Sequence, residues 1–295
     1  MKDIHLCALY GIAATMMNIT SKTLIANYSV NPSFIILLIQ HIIIVIYGLT
    51  KHYIISWSEA QECILISLYS LGNIVFGGIG MRYVNLPMYI TLRKLCTAEI
   101  FIIDTIFYKQ PYKYSCVIGV AGISLGALIA GYNDLTSDAF GFIIVFLANL
   151  MNALLLLQIR YAKERVFSLK SFKQVYICSL ISIPYTIILY FTAEEYVSVG
   201  LSPYSHTWEL YFAIVFAGVL GVFCNFLLFK CANEISPMAT SVTGNAKDFI
   251  SMLIGLVAFK DVNPNFLFMF GIFVSFLGAM IYSVGKVVNN KKISV

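Results

Sequence analysis

Charged residues are scarce in this sequence. Only 11% of its 295 residues are Asp, Glu, Lys or Arg, whereas a soluble domain carries about a quarter. Hydrophobic residues make up 60% of the chain, and the mean hydropathy is +0.86. No stretch between the apolar segments is long enough to hold an aqueous catalytic domain. These shortages exclude a soluble globular protein and indicate a polytopic membrane protein that is not an enzyme.

Metal-binding and nucleic-acid-binding patterns are also missing. The seven cysteines lie mainly in apolar runs and show no CxxC spacing, which favours buried free thiols, and the four histidines are scattered. No metal or cofactor is therefore expected. The net charge of +5 bears on membrane orientation and not on nucleic acid, because basic residues beside spans orient those spans.

Apolar segments of about twenty residues, the length that crosses a bilayer as a helix, can be placed ten times. The sequence therefore predicts an all-α integral membrane protein with ten transmembrane helices, which a seven-helix receptor does not fit. The predicted spans are 4–25, 32–50, 62–81, 86–108, 113–132, 140–160, 172–192, 208–230, 236–259 and 264–286.

The basic residues between these spans fall almost entirely on one side. With a cytosolic N-terminus, the opposite side holds only Arg82 and Lys260. Such a bias places the basic side in the cytosol, so both chain ends are expected there. The basic residues of the cytosolic side are Lys2, Lys51, Lys109, Lys113, Arg160, Lys163, Arg165, Lys170, Lys173, Lys230, Lys286, Lys291 and Lys292.

The two halves of the chain, residues 1–135 and 136–295, resemble each other and contain five predicted spans each. The run NLPM at 85–88 matches ISPM at 235–238, and the pairs Gly119/Gly271 and Gly126/Gly278 follow at a slightly larger offset. Because five is odd, the second copy would be inverted in the membrane. Inverted repeats are typical of transporters, whose substrate binds near the midplane where the repeats meet.

Ridges of small residues lie on two predicted spans and are expected to let helices pack closely. Such ridges serve equally inside a subunit and between two copies, so the sequence leaves a homodimer open. The ridges are Gly122, Gly126 and Ala130 on the fifth span, and Ala213, Ala217 and Gly221 on the eighth.

Charged residues inside the predicted spans are the candidates for function, because such residues usually face a bundle interior or an aqueous cavity. Any one of them could instead be a structural salt-bridge partner, but the cations outnumber the anions. The cations are Lys22, Arg93, Lys94 and Lys247, and the anions are Glu99, Asp104 and Asp248.

Helical spacing predicts which of these charges share a face. On a continuous fourth helix, Arg93, Thr97, Ile100 and Asp104 form one stripe, and Lys94 is turned about 100° away. On the ninth helix, Gly244 and Lys247 share a face that Thr243 flanks, and small neighbours leave room for a ligand.

The repeat brings the two groups of cations into relation. At an offset of 150, Thr97 corresponds to Lys247, one turn from the positions equivalent to Arg93 and Lys94. Several cations near a midplane suit an anionic substrate, and paired phosphates especially. Arg can bind phosphate oxygens bidentately, whereas Lys acts as a point charge.

Three stretches resemble motifs of the nucleotide-sugar transporters in the drug/metabolite transporter superfamily. Residues 21–24, SKTL, are similar to an Asn-Lys-x-Leu motif with the Asn replaced. Residues 86–94, LPMYITLRK, resemble a run like LPMFTVLRR, and residues 244–248, GNAKD, resemble a G-x-x-K-N element. The resemblance is nearest to the branch that carries UDP-glucuronate and UDP-N-acetylgalactosamine.

This resemblance implies ten helices as two inverted five-helix repeats, embedded in the lipid bilayer of the Golgi or endoplasmic reticulum. It implies antiport of a cytosolic nucleotide sugar for a lumenal nucleoside monophosphate, with the pyrophosphate on Arg93, Lys94 and Lys247. The substrate-binding residues that the motifs and their helical neighbours suggest are Lys22, Tyr89, Arg93, Lys94, Tyr176, Thr243, Gly244, Asn245, Lys247 and Asp248.

Departures from related motifs bear on the substrate. GDP-mannose carriers have an FYNN-like motif in the seventh span, where this chain keeps Tyr176 but has Ile177 and Cys178 in place of Asn. This difference favours a uridine over a guanine nucleotide. The alternatives are a carrier of phosphate esters or other anionic metabolites on the same fold, and a non-transporting membrane protein whose cations are salt-bridged.

Overall fold

A computed structural model describes residues 2–28, 33–84, 89, 92–109, 112–131, 139–193, 207–258 and 266–293. Within these residues the chain forms ten long helices, and each overlaps one predicted span. The helices are α1 (Lys2–Tyr28), α2 (Ser33–Leu49), α3 (Trp57–Tyr83), α4 (Cys96–Ile106), α5 (Tyr114–Gly131), α6 (Ala139–Arg165), α7 (Ser171–Thr192), α8 (Trp208–Glu234), α9 (Pro237–Ala258) and α10 (Phe266–Ile293).

Local sequence signals explain where two of these helices begin. Ser56 and Glu59 form a capping box at the start of α3, because the Ser56 N–H donates to the Glu59 carboxylate at 2.8 Å and the Glu59 N–H donates to the Ser56 hydroxyl at 3.4 Å. At the start of α9, the Ser236 hydroxyl accepts from the Ala239 N–H at 3.1 Å, and Pro237 takes the first helical position.

The apolar surface of the helices fits a lipid environment. Within the described residues, four helices are long and apolar enough to cross a membrane, namely Trp57–Gly80, Ala139–Arg165, Ser171–Thr192 and Trp208–Glu234. Large apolar side chains such as Ile12, Ile118 and Phe212 are exposed on helix surfaces, where lipid tails would cover them. The count of ten spans remains a prediction.

The described residues group into two compact units. Unit 1 comprises Met1–Ser67 and Ile159–Ile235, and unit 2 comprises Leu68–Gln158 and Ser236–Val295. Each unit therefore combines segments from both predicted five-span repeats. The boundaries fall within α3 and within α6.

Unit 1 is built around α8, which packs against α1, α2 and α7. Ala217 and Gly221, on the predicted ridge of α8, lie at these contacts: Ala217 is buried beside Leu24 and Ile36. A Cβ atom on Gly221 would overlap the side chain of Gln40. This ridge is thus occupied by helix packing inside the subunit.

Unit 2 contains a tight pair of helices, α5 and α10, in which backbone meets backbone. A Cβ on Gly126 would lie 2.3 Å from the Ser275 nitrogen and 2.5 Å from the Gly271 oxygen. A Cβ on Gly278 would lie 2.5 Å from the Ile123 nitrogen and 2.7 Å from the Gly119 oxygen. The predicted small-residue ridge of the fifth span is therefore a packing surface.

The contacts of this pair are themselves paired. The residues of the two contacts correspond at an offset of 152 in the sequence. Gly126 corresponds to Gly278, Gly271 to Gly119, and Ser275 to Ile123. This correspondence is what a two-fold relation between the fifth and tenth helices produces. The two inverted five-helix repeats themselves remain a prediction.

Candidate functional site

Arg93 lies in unit 2, just before α4, and neutral groups hold it. Its Nη1 donates to Asn73 Oδ1 of α3 at 2.8 Å and approaches Asn149 Oδ1 of α6 at 3.5 Å. Its guanidinium lies 5.9 Å from the centre of the Tyr89 ring. Among the residues that the structure describes, Arg93 forms no ion pair with a carboxylate. Its hydrogen bonds go to neutral amide oxygens, and the Glu99 carboxyl of α4 interacts with it electrostatically without forming an ion pair.

The chain turns irregularly between Arg93 and α4. The N–H groups of Leu95, Thr97 and Ala98 each donate to the carbonyl three residues back, as in a 3₁₀ turn. Asn149 covers this turn, since its Nδ2 donates to the Leu92 carbonyl at 2.7 Å. The fourth predicted span is therefore not one continuous α-helix over the described residues.

This turn corrects the predicted stripe of Arg93, Thr97, Ile100 and Asp104. Arg93 reaches α3 and α6, whereas Thr97 points at α9, where its hydroxyl bonds with Ser241 Oγ at 2.8 Å and accepts from Asn245 Nδ2 at 2.9 Å. The stripe assumed 100° per residue throughout, and the 3₁₀ bonds change that rotation. The prediction of one shared face was wrong.

Lys94 points to a different side from Arg93. It is 3% exposed and lines a small pocket with Asn245, Ala246 and residues of α10, including Ser275. The structure therefore does not direct Arg93 and Lys94 into one pocket. The predicted divergence of the two side chains holds, but their grouping as a single cluster does not.

Lys247 lies on α9, two residues beyond Asn245, which turns it about 200° away from the face that bonds to Thr97. It is half-buried and shares its face with Gly244 and Thr243. A Cβ on Gly244 would meet no described atom within 4 Å. Among the described atoms, the small residue therefore leaves space on the Lys247 side of the helix.

The acidic residues of α4 differ in their partners. Asp104 is buried and accepts a hydrogen bond from the Tyr112 hydroxyl. Glu99 is 8% exposed, and neither of its carboxyl oxygens has a hydrogen-bond partner among the described residues.

Several predicted site residues are placed elsewhere or lie outside the described part. Tyr176 belongs to unit 1, where it is buried against Gly48 and its ring centre lies 5.9 Å from that of Tyr53. Lys22 and Asp248 are on α1 and α9, but their side chains lie outside the described residues. Residues 85–88, with most of the LPM motif, also lie outside them.

Asn73 and Asn149 were missed from the sequence, although a signal was present. Both are amide side chains within mainly apolar stretches of their helices, and Asn149 is 1% exposed. Polar residues within spans usually bond to neighbouring helices or line a site, so the same criterion that selected the charged residues applies to them.

The chain is similar to curated proteins over almost its whole length. It is 26% identical to a UDP-N-acetylglucosamine transporter of Arabidopsis thaliana, over 95% of this chain and 86% of that protein. It is 24% identical to UDP-galactose/UDP-glucose transporter 7 of the same plant, over 94% and 88%. A GDP-mannose transporter of Coccidioides immitis is 23% identical over 96% and 80%. At 23–26% identity, these relatives are all named as nucleotide-sugar transporters.

The remaining comparisons concern the fold and the extent of the relationship. One solved crystal structure matches with a TM-score of 0.66 over 94% of this chain and 96% of that chain, at 13% identity, which bears on architecture alone. No protein-family model matches the chain. The relatives are named as transporters and not as enzymes.

Proposed function

We propose that the chain is an antiporter that exchanges a cytosolic nucleotide sugar, linked to UDP, for a lumenal nucleoside monophosphate. The observation that carries this proposal is the environment of Arg93. This half-buried cation lies at an irregular turn, and amide oxygens instead of a carboxylate accept its hydrogen bonds. A charge within a span costs about 2.5–3.5 kcal/mol on insertion scales, so an unneutralised one requires a compensating role. An anionic substrate supplies that compensation.

The diphosphate of a nucleotide sugar suits the cations of unit 2. Arg93 keeps guanidinium donors for phosphate oxygens, since its described hydrogen bonds use only Nη1. Lys247 lies beside the space at Gly244 and supplies a second positive charge. We assign these two residues to the phosphates. Lys94 and Asn245 would contact the substrate from the pocket next to α10. Thr243 would lie beside Lys247, and Tyr89 beside Arg93.

Exchange follows from the same electrostatics. In alternating access the carrier passes through a closed state in which its binding site is shielded from water. If the site is empty, its cations lie in a low dielectric with no anion beside them, and this raises the free energy of the closed state. A loaded site carries its own counter-charge. The carrier therefore reorients faster when either the nucleotide sugar or the nucleoside monophosphate is bound, and the two anions exchange.

The uridine assignment rests on residues 176–178 and on the relatives. Tyr176, Ile177 and Cys178 depart from the FYNN-like motif of GDP-mannose carriers. Relatives named for UDP-sugars and for GDP-mannose both occur at low identity, so the relatives alone do not choose the base. The proposal also includes the branch that carries UDP-glucuronate and UDP-N-acetylgalactosamine. It places the protein in the Golgi or endoplasmic reticulum membrane, with both chain ends in the cytosol.

Uptake into liposomes tests the proposal. The purified chain is reconstituted with internal UMP, GMP or CMP, and uptake of radiolabelled UDP-N-acetylgalactosamine, UDP-glucuronate, GDP-mannose and a CMP-sugar is measured. We expect uptake of a UDP-sugar that internal UMP stimulates. GMP-dependent uptake of GDP-mannose would reassign the base, and uptake of simple phosphate esters alone would favour the alternative carrier. Absence of any stimulated uptake would refute antiport.

Lys247→Ala gives a residue-level prediction in the same assay. Loss of the ammonium is expected to lower exchange at least about tenfold, which corresponds to about 1.4 kcal/mol of lost interaction. Lys170→Ala, at an exposed lysine of the segment before α7, is the matched control and should exchange normally. A Lys247→Ala protein with full exchange would remove this residue from the site.

A further inference from the structure

Asn73 and Asn149 surround the charged end of Arg93 from two different helices. Asn73 lies on α3 and accepts from Arg93 Nη1 at 2.8 Å, and Asn149 lies on α6 with its Oδ1 at 3.5 Å from the same nitrogen. The Tyr89 ring, 5.9 Å from the guanidinium, is a third uncharged neighbour. We call these residues the Arg93 cradle: Asn73, Asn149 and Tyr89.

Asn149 does more than accept from Arg93. Its Nδ2 donates to the Leu92 carbonyl, which also accepts from the Leu95 N–H at the irregular turn. Its own backbone carbonyl accepts a weak bond from the Cys96 thiol at 3.6 Å. One side chain, 1% exposed, therefore fixes both the turn that precedes α4 and the cation that this turn presents.

The choice of amide over carboxylate is chemically specific. Asp would match Asn in shape and would accept from an Arg more strongly, because a charge-assisted hydrogen bond is about twice as strong as a neutral one. An Asp at either position would also cancel the positive charge. Asn retains the geometry and leaves the charge available, which an anion-binding site needs and a purely structural contact does not.

We propose that Asn73 and Asn149 are positioning residues for substrate binding, which hold Arg93 by neutral acceptors so that no ion pair at these positions takes up the charge that acts on the diphosphate. This inference rests on the proposed function in that it assigns Arg93 to the substrate phosphates. It adds two residues from α3 and α6 that act through Arg93 and need not touch the substrate.

The decisive variant is Asn73→Asp, which retains the shape and the acceptor but adds a negative charge beside Arg93. We expect its melting temperature to equal or exceed that of the wild type, because an Arg–carboxylate pair forms. We expect its Kd for UDP, measured by thermal stabilisation in detergent, to rise at least about tenfold. A merely structural Asn73 would leave the affinity for UDP unchanged.

Two further variants separate charge from geometry. Asn73→Ala removes the acceptor without adding charge and should weaken UDP binding only about two- to fivefold, because Arg93 keeps its charge but loses one anchor. Asn152→Asp is the matched control, since Asn152 lies one turn from Asn149 on α6 and donates to the Cys96 sulfur instead of contacting Arg93. It should change the Kd less than about threefold.

The outcomes separate this inference from the proposed function. If the wild type binds UDP and Asn73→Asp weakens that binding far more than Asn152→Asp does, the cradle is supported, whether or not uptake occurs. Equal effects of the two Asp variants, or unchanged UDP affinity of Asn73→Asp, would overturn it, as would a wild type that UDP does not stabilise. Binding without any stimulated uptake would contradict antiport alone.

Discussion

At the scale of single residues, the charged side chains of unit 2 differ in their surroundings. Arg93 is held by amides, Lys94 is buried in a pocket beside α10, and Glu99 is buried without a described partner. In unit 1, by contrast, Glu59 is 1% exposed and accepts from Lys173 at 2.5 Å and Ser168 at 2.6 Å. Paired charges stabilise a buried site only when both partners remain, so these groups should respond differently to substitution.

Glu99→Gln is expected to preserve the stability of the protein. The described residues offer no hydrogen-bond donor to either carboxyl oxygen, and Arg93 acts on Glu99 only at a distance, without an ion pair. A carboxylate without a hydrogen-bond partner is costly to bury, so little is lost when a neutral amide of the same shape replaces it. We expect the free energy of unfolding to stay within about 1 kcal/mol of the wild type. Thermal or denaturant unfolding in detergent measures this.

Glu59→Gln is the matched control for that experiment. It removes the negative charge that Lys173 needs and should cost about 3 kcal/mol, because an ion is left buried without its partner. A Glu99→Gln protein as destabilised as Glu59→Gln would show that Glu99 has an essential ionic partner.

At the scale of the helices, two kinds of contact organise unit 2. Polar side chains join α4 to α9, with Thr97 bonding to both Ser241 and Asn245. The α5–α10 pair instead depends on glycines that let the two backbones touch. In lipid, where apolar burial gives little drive to association, close packing and interhelical hydrogen bonds are the available sources of stability.

Gly126→Ala and Gly278→Ala should destabilise the protein to a similar extent. Each added Cβ would meet backbone atoms at 2.3–2.5 Å, and the two contacts are equivalent under the offset of 152. Overpacking of this kind costs about 1–3 kcal/mol. Denaturant unfolding in detergent provides the comparison.

Gly78→Ala on α3 is the control, because a Cβ there would meet no described atom within 4 Å. It should be neutral or stabilising by up to about 1 kcal/mol, since Ala favours helix over Gly. Tolerance of Gly278→Ala together with strong destabilisation by Gly126→Ala would argue against equivalent packing in the two halves.

At the scale of the whole molecule, orientation in the membrane follows from the basic residues between spans. The segment between α7 and α8 contains Glu194 and Glu195 and no Lys or Arg, whereas the segment between α6 and α7 contains Lys170. The positive-inside bias therefore predicts that the first of these segments is lumenal and the second cytosolic.

An inserted glycosylation acceptor tests this orientation. An Asn-x-Thr site with a flexible spacer, placed within residues 194–206, should be glycosylated in cells because the modifying enzyme acts in the lumen. The same insert after Lys170 and at the C-terminus should remain unmodified. Glycosylation at the C-terminal position, detected as a mass shift that a glycosidase reverses, would contradict an even number of spans.

Much of the helical architecture and part of the candidate site could be predicted from particular residues. The apolar runs between Lys and Arg clusters predicted segments that each overlap a helix, because backbone groups in lipid must bond within each segment. The glycines of α5 predicted close packing, and Gly244 predicted space near Lys247. These features depend on residue size, charge and local periodicity, which the sequence states directly.

Only the tertiary structure decided where the charged side chains point. The turn at Lys94–Leu95 redirects Arg93 to Asn73 and Asn149, and Lys94 to α10, although the two cations are adjacent in sequence. Asn149 supports that turn from more than fifty positions away, and no local pattern specifies a bond between such distant residues. The sequence by itself therefore determined the helices, the membrane environment and the presence of cations, whereas their partners depended on contacts between helices far apart in the chain.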